Sequence, residues 1–574
     1  MSASPSSPEA LAREIEAAGE ALWAEGAPPS RLAAWQALHR DYEAALARQK
    51  HPPERHRFVV VIPVADRPRQ LRLCLQSLLD QCRAFHYGGV RQGRFERVEV
   101  VIADDSGETV SRRAHARLAE EFTAQGLPIL HFDQPEQREL LRQAGAAPVS
   151  ATGRADEAGF GHKGASRMRN LCYLLLRRLA AGSRECWLFF FIDSDQEFRV
   201  RLADGRNLLG ISYFHALDRL FRERDIRMLT GKVVGDPPVS PAVMAGHLLD
   251  DLIAFLERLR AGAPDAPCAF HGEARGADDA AYHDMADLFG FRGPDEVFEY
   301  RCDVEGKHDL RAAFQRFAVR APRFLDGEHP TRASYYRPGS LDASIAPART
   351  VYTGNYVLNV DALEFFIPFA TLRLRMAGPV LGRIARAELG AAFVSANLPL
   401  LHKRTHDAVG RSEFRPGVEH GRAGVDLSGE FERQFFGDVM LFSIEALCEQ
   451  GYPGRLPPRD ALQALVEDTS ERLRARYAAR QRDIAQRLER ASELAGAPDA
   501  WWNQDPDSAA AAARLQGFLA DLRRNFSAGS GGCRQVEDDA HRAARLREIR
   551  EAILALRDDR EAWRAALARI AGQA

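Results

Sequence analysis

The run Trp187-Leu188-Phe189-Phe190-Phe191-Ile192-Asp193-Ser194-Asp195 leads an unbroken apolar segment straight into two carboxylates separated by one residue. An apolar run without alternation belongs in a strand covered on both faces, so its carboxyl end is the first place where it can expose charge. Open α/β sheets bind their ligands at that edge. Two neighbouring oxygen donors suit a hard divalent cation, Mg²⁺ or Mn²⁺. In a surface loop the same triplet is as often a solvated turn or a helix cap, so its context decides.

Two more segments repeat the pattern. Phe58-Val59-Val60-Val61-Ile62-Pro63 is a second continuous apolar strand, ended by Pro63-Val64-Ala65-Asp66-Arg67-Pro68 and followed by the helical spacing of Leu71, Leu75, Leu78 and Leu79. Val98-Glu99-Val100-Val101-Ile102-Ala103 runs into Asp104-Asp105-Ser106-Gly107, with a helical stretch through Leu118 and Phe122 behind it. Strands alternating with helices predict an α/β fold, a mostly parallel sheet built by right-handed crossovers and flanked by helices.

With Gly164-Ala165-Ser166-Arg167-Met168-Arg169-Asn170 added, these segments stand in the order of the family 2 glycosyltransferases of the GT-A fold, and the chain resembles them from Phe58 to Arg404. The resemblance implies a GT-A type, Rossmann-like mixed sheet and metal-dependent transfer of a sugar from a nucleotide-diphosphate donor, a UDP- or GDP-sugar, to an acceptor. It implies that Pro63, Val64, Ala65 and Asp66, with Asp104, Asp105 and Ser106, border the donor nucleoside. Lys163, Gly164, Arg169 and Asn170 follow the family's helix-opening element. Lys163, Arg167 and Arg169 near a helix start suit a pyrophosphate, and equally an ordinary basic first turn. Asp193, Ser194 and Asp195 would lie on the donor diphosphate. Tyr352-Thr353-Gly354-Asn355 resembles the strand behind the acceptor site, and Phe393 to Arg404 the terminal strand with His-x-Arg. That implies His402 as a third metal ligand beside Asp193 and Asp195, with Asp195 in the catalytic centre.

One element departs from the family. The acidic pair that supplies the general base is replaced by Arg375-Met376-Ala377-Gly378-Pro379-Val380-Leu381-Gly382-Arg383. Either Glu388, Asp361, Glu364 or Asp236 does that work from another place, or the reaction retains configuration, as in the mannosylglycerate synthases, which also use Asp-x-Asp with a distant His. Arg373, Arg375 and Arg383 would suit an acidic acceptor or an ion-paired helix face. A non-catalytic nucleotide-sugar-binding scaffold or sensor is the alternative. Dinucleotide-binding and nucleotidyltransferase readings fail, because no glycine-rich loop follows the first strand.

A net charge of −2 gives no push towards nucleic acid or an anionic membrane. The eight cysteines show no Cys-x-x-Cys spacing, so neither a zinc knuckle nor a disulfide framework is expected. No segment reads as a signal peptide or a transmembrane span, which makes a cytoplasmic location the expectation. Residues 1–55 read as a helical arm, with Pro8 in a first turn. Residues 56–410 read as the catalytic domain with an insertion around 262–345, and 411–574 as a helical C-terminal region. In that region Val466, Leu473, Tyr477, Ile484 and Leu488 form one stripe, and Leu546, Ile549, Ile553, Leu556, Trp563, Leu567 and Ile570 a second. They predict a helical hairpin, packed on the body or pairing subunits in a homo-oligomer. Thr230 to Pro241 reads as a strand and a proline-stiffened loop that either borders the donor sugar or is a plain turn. His271 to Asp287, dense in His and Asp, reads as an acceptor-side lid in preference to a metal site.

Overall fold

Alternate side chains of each central strand enter two different cores. The computed structural model describes residues 7–572 apart from 52, 146, 157–159, 238–239, 271–301, 305, 404–414, 416 and 422–423. In β1 (Arg57–Val64), Val59 and Val61 join one apolar cluster, while Phe58, Val60, Ile62 and Val64 join the other. The same division runs through β2 (Val98–Asp104), and β3 (Ile129–Phe132) flanks it. In β4 (Trp187–Ile192), Phe189 and Phe191 face one way and Leu188, Phe190 and Ile192 the other. A period of two applied to a strand apolar at every position requires two covered faces. Each buried Phe contributes about 1.5–3 kcal/mol, so a three-layer arrangement follows.

Strands β5 (Gln196–Glu197), β6 (Met228–Thr230), β7 (Val233–Gly235), β8 (Ala346–Pro347), β9 (Asn355–Asn359), β10 (Phe393–Ser395) and β11 (Leu400–His402) complete two sheets. The main sheet has eight strands in the order β8-β10-β6-β9-β4-β1-β2-β3. Six of them run in one direction. β9 is antiparallel to β4 and β6, and β8 is antiparallel to β10. The smaller sheet, β7-β11-β5, starts immediately after Asp195. The mixed, mostly parallel α/β architecture expected from the strand runs is present.

The N-terminal arm is α1 (Pro8–Ala24), capped by the Ser7 hydroxyl, and α2 (Pro29–Ala47). Behind it come α3 (Pro68–Phe85), α4 (Thr109–Ala124), α5 (Gln134–Ala144), α6 (Ala165–Ala180), α7 (Tyr213–Glu223), α8 (Pro241–Arg260), α9 (Leu310–Arg320) and α10 (Ala377–Leu389). The C-terminal region adds α11 (Ser428–Glu449), α12 (Arg459–Gly496), α13 (Ala509–Phe526) and α14 (Asp539–Gly572). Helices α3, α4 and α7 cover one face of the sheet, and α5, α6, α10, α11 and α14 the other.

Of the two alternatives for the C-terminal stripes, packing on the body is the one present, and the expected hairpin is not. The C-terminal stripes are covered inside the chain: Leu546, Ile549, Ile553 and Trp563 of α14 belong to the core that contains α6, so they offer no surface for pairing subunits. In place of a hairpin there are three long helices, because α13 intervenes between the two stripes. The insertion and the C-terminal region also share a third core, in which Phe255 of α8 and Phe314 of α9 meet Ile484 of α12 and Phe518 of α13. They are therefore not packed as separate units. Among the described residues no helix is long and apolar enough to cross a membrane. The acidic, histidine-rich stretch 271–287 lies outside the described residues.

An ionic knot ties the arm to the body. Buried Arg55 lies 2.9 Å from Glu43 of α2 and 3.5 Å from Asp218 of α7. His215 donates to Glu43 at 2.6 Å, and His56 to Asp218 at 2.9 Å. Burial works to raise the Asp218 carboxyl, yet the His56 bonds and the Arg55 charge hold it at about 2. Removing the guanidinium leaves two buried carboxylates short of a countercharge. Arg55→Met is expected to lower stability by about 3–5 kcal/mol. Arg31→Ala, which breaks the exposed pair with Glu25, should lower it by less than about 1 kcal/mol. Urea unfolding of both variants checks the contrast.

Candidate functional site

The carboxyl ends of β1, β2 and β4 sit side by side, with Val64 in register with Asp104 and Val61 with Phe191. Charge concentrates here. Asp105 donates its N–H to the Val64 carbonyl at 2.8 Å, which locks the first loop to the second. Its carboxylate accepts from the N–H groups of Lys163 and Gly164, both at 3.0 Å, and pairs with Lys163 Nζ at 2.7 Å. Gly164, at φ +97°, is the residue preceding α6, and a left-handed backbone there favours glycine. Lys163 also donates to the Phe160 carbonyl at 2.7 Å and lies over the Phe160 ring. Burial pulls its pKa down against the attraction of Asp105. It is a buried clamp for this tip.

Asp104 lies deeper. Its side chain is 0% exposed, His115 Nδ1 and His131 Nε2 each donate to Oδ2 at 3.0 Å, and the Ser106 N–H donates to Oδ1 at 3.0 Å. A carboxylate so enclosed shapes the tip from beneath and does not present itself to a ligand. Reaching the surface instead are Asp66, His162 and the backbone around Gly107. Asp66 accepts from the N–H groups of Gly107 and Glu108 at 3.1 Å and from His162. Burial acts to raise the Asp66 carboxyl, but the bonds from His162 and these amides hold it below its ordinary range. Its own N–H donates to Ser106 Oγ at 2.9 Å. Pro63, Val64 and Ala65 carry this loop.

Past the carboxyl end of β4, fold topology brings a distant histidine to Asp195. β5 follows Asp195 directly and pairs with β11, with His402 opposite Gln196. His402 Nε2 lies 3.6 Å from Asp195 Oδ2, and the Lys403 N–H donates to the Asp195 carbonyl at 3.2 Å. His402 Nδ1 is 2.6 Å from the Asp236 carbonyl. A carbonyl can only accept, so Nδ1 carries the proton, and in the neutral ring Nε2 turns a lone pair towards the carboxylate. The imidazole nitrogen and the Asp195 carboxylate, which Arg67 also approaches at 3.4 Å, thus turn two donor atoms to one place. An imidazole held by a backbone carbonyl through its other nitrogen is the usual form of a metal-binding histidine. This oxygen and imidazole pair therefore fits a divalent ion. Gly235, in register with His402 at φ +90°, keeps the approach open, since a Cβ there would meet the His402 carbonyl oxygen at 2.5 Å.

Asp193 is placed differently. Its carboxylate is ion-paired to buried Arg169, and the expected ligands Asp193, Asp195 and His402 are not drawn into one tight cluster. A Cβ on Gly354 would lie 2.7 Å from Asp193 Oδ2, so glycine leaves that oxygen its room. Gln196 accepts the Asp193 N–H at 3.2 Å and donates to Tyr352 Oη at 3.0 Å. Arg67 Nη1 stands 3.4 Å from Asp195 Oδ2. Arg67, His162, Gln196 and Tyr352 belong to the site without having been singled out from the sequence. Arg67, in the first loop, and Tyr352, at the head of the Tyr352-Thr353-Gly354-Asn355 segment, lay in stretches that offered a signal. Ser194 is buried between the two acids.

Several expected site residues serve the framework instead. Asn170, fully buried, donates to the carbonyls of Ala151 and Ile367 at 3.0 and 2.9 Å and accepts the Ile367 N–H. Asp361 follows β9, whose antiparallel course carries it to the amino edge of the sheet, away from Asp195. Glu388 ends α10 just ahead of β10, at that same far edge, and pairs with Arg560 of α14. Glu364 pairs with Arg564 at 3.3 Å. Of the four residues offered as a base, Asp236 is the one whose backbone meets His402, through its carbonyl at 2.6 Å and its N–H at 3.0 Å. Arg383 is buried against Glu445, and Arg375 holds Glu430 at 2.8 Å. The loop 232–241 does reach the site through Asp236, while Pro238 and Val239 lie outside the described residues, as does Arg404.

No protein-family model matches the chain, and no curated protein matches it. Among solved structures, mouse xyloside xylosyltransferase 1 in its apo form aligns over 58% of this chain and 74% of that one, at 10% identity and a TM-score of 0.22. A likeness so slight carries no weight for fold or function.

Folding holds the Asp104 carboxyl far below its ordinary range: burial raises it, and the bonds from His115, His131 and Ser106 overcome that. A depressed carboxyl stabilises the fold above its unfolded pKa of about 3.9, and the contribution is lost as pH falls through and below that value. Asp104→Asn should therefore lower stability at neutral pH and flatten the acid limb below about pH 4. Urea midpoints across a pH series read both effects; parallel acid limbs in the two proteins would count against them.

Proposed function

We propose that the chain is a metal-dependent glycosyltransferase of the GT-A type that takes a nucleotide-diphosphate sugar, a UDP- or GDP-sugar, as donor. The observation that carries this reading is the Asp195–His402 pair at the carboxyl edge of a mostly parallel sheet, with the imidazole tautomer set by the Asp236 carbonyl. Asp195 and His402 would hold Mn²⁺ or Mg²⁺, with Asp193 beside them. When bound, the ion would offset negative charge on the departing diphosphate. Arg67 adds positive charge at the same place. Arg169 fixes the Asp193 carboxylate, which keeps this acid oriented in the absence of ligand.

The nucleoside is assigned to the tip formed by Asp66, His162 and the backbone of Ser106 and Gly107. Asp104 and Asp105 support it through their bonds to His115, His131 and Lys163. For the base that takes a proton from an acceptor hydroxyl we favour Asp236, whose backbone borders His402 while Asp361 and Glu388 stand at the other edge.

A thermal-shift panel of nucleotide sugars with and without Mn²⁺ tests the reading on wild type, Asp195→Ala and His402→Ala. One nucleotide class should raise the wild-type midpoint only with metal, because a ligand of the native state stabilises it by mass action. Both variants should lose that response. A shift equal in all three proteins would remove the metal assignment. Asp236→Asn should keep donor binding and lose transfer by roughly 10²-fold or more. Donor binding without transfer in wild type would favour the scaffold reading.

A further inference from the structure

Away from the sheet edge, three side chains of a different chemical character converge at the foot of α9. The ligand atoms of Cys268, Cys302 and His308 all lie within 4.8 Å of one another, with Cys302 buried and the other two half-buried. Cys302 Sγ and His308 Nε2 are 3.3 Å apart. His308 Nδ1 lies 3.0 Å from the Gly306 carbonyl, which can only accept, so the proton sits on Nδ1 and the Nε2 lone pair faces the thiols.

The backbone frames this cluster. The Cys268 N–H donates to the His308 carbonyl at 2.9 Å, Pro267 bridges to Asp309, and the Cys302 N–H donates to the Phe270 carbonyl at 2.8 Å. Asp309 then caps α9 by accepting the Ala312 N–H at 2.8 Å. Two segments distant in sequence, 267–270 and 302–309, are thereby fixed with their soft donors pointing together. The expectation that the cysteines form no metal site rested on sequence spacing, and residues 268 and 302 are too far apart for spacing to reveal them.

From this geometry we infer that Cys268, Cys302 and His308 bind a zinc ion, with a solvent molecule as the fourth ligand. Two thiolates and one imidazole form a ligand set that selects zinc over the hard ions suited to Asp195. Three protein ligands leave one tetrahedral position, and the half-exposure of Cys268 and His308 gives water access to it. Binding converts two thiols to thiolates and releases two protons to solvent, with no change of oxidation state. The ion would staple the chain on either side of residues 271–301 to the start of α9. An ion that binds only the folded arrangement stabilises it by mass action.

The test uses the full chain carrying Asp195→Ala, so that the sheet-edge site does not compete, stripped of metal under reducing conditions and titrated with Co²⁺ and Zn²⁺. About one equivalent should bind, with Co²⁺ giving a thiolate charge-transfer band that Zn²⁺ displaces. Adding Cys268→Ser or His308→Gln should weaken zinc binding by more than about 100-fold. Far-UV circular dichroism confirms that these variants fold. X-ray absorption at the zinc edge of the parent chain, which needs no further variant, should count two sulfur ligands and one imidazole. A spectrum without sulfur ligands, or a charge-transfer band unchanged in both variants, would overturn the assignment. So would a Cys268–Cys302 disulfide without metal in freshly purified chain.

Discussion

The pairing of β5 with β11 is the constraint on which the candidate site depends. Three residues past the end of β4, the chain turns into a short antiparallel ladder whose register sets His402 opposite Gln196. That ladder, with β7 behind it, brings an imidazole from far along the sequence to Asp195. The approach is tight enough that Gly235 cannot carry a side chain without displacing the His402 backbone. Each neighbouring acid is likewise tied to a specific donor: Asp104 to two histidines, Asp105 to Lys163, Asp193 to Arg169. Buried carboxylates without such partners would destabilise the edge by several kcal/mol each. The edge is thus an ionic lattice in which Asp195 faces both Arg67 and His402.

How much of this could be read from residues alone follows from what each feature depends on. The strands of Phe58, Val98 and Trp187 were legible because a two-sided core demands uninterrupted apolar residues, and the acids after them because charge must wait for the strand's end. Asp195 and His402 were legible through the order of the segments around them. The partners of Asp104 were not, since His115 and His131 sit on a helix and a strand whose patterns carry no sign that they face inward. Asn170 kept the expected spacing yet serves as a brace to Ile367, because a buried amide surrounded by backbone carbonyls satisfies them first. Asp361 and Glu388 were misplaced for a topological reason: which edge a residue reaches depends on the direction of β9 and α10, and periodicity does not encode direction.

The same limit explains the third core. Each of α8, α9, α12 and α13 advertises an apolar stripe, but a stripe does not name its partner. Phe255 and Phe314 come from the middle of the chain and Ile484 and Phe518 from its later part. Together they build a helical buttress beside the α/β body, and the soft-donor cluster at the foot of α9 lies within reach of it. A carboxylate with one imidazole at the sheet edge and two thiols with one imidazole in the buttress would favour ions of different softness.

The place of β9 in the sheet has a consequence for how the chain is made. β4 lies between β1 and β9, and β9 belongs to a segment synthesised long after both. Until residues 355–359 leave the ribosome, the most apolar strand in the protein has one open edge, a template for pairing with any other extended chain. β11 emerges later still, so Asp195 meets its histidine only near the end of sheet assembly. A nascent chain of this protein therefore passes through a half-built sheet whose hazard is intermolecular, the stage at which a chaperone that shields strand edges would matter most.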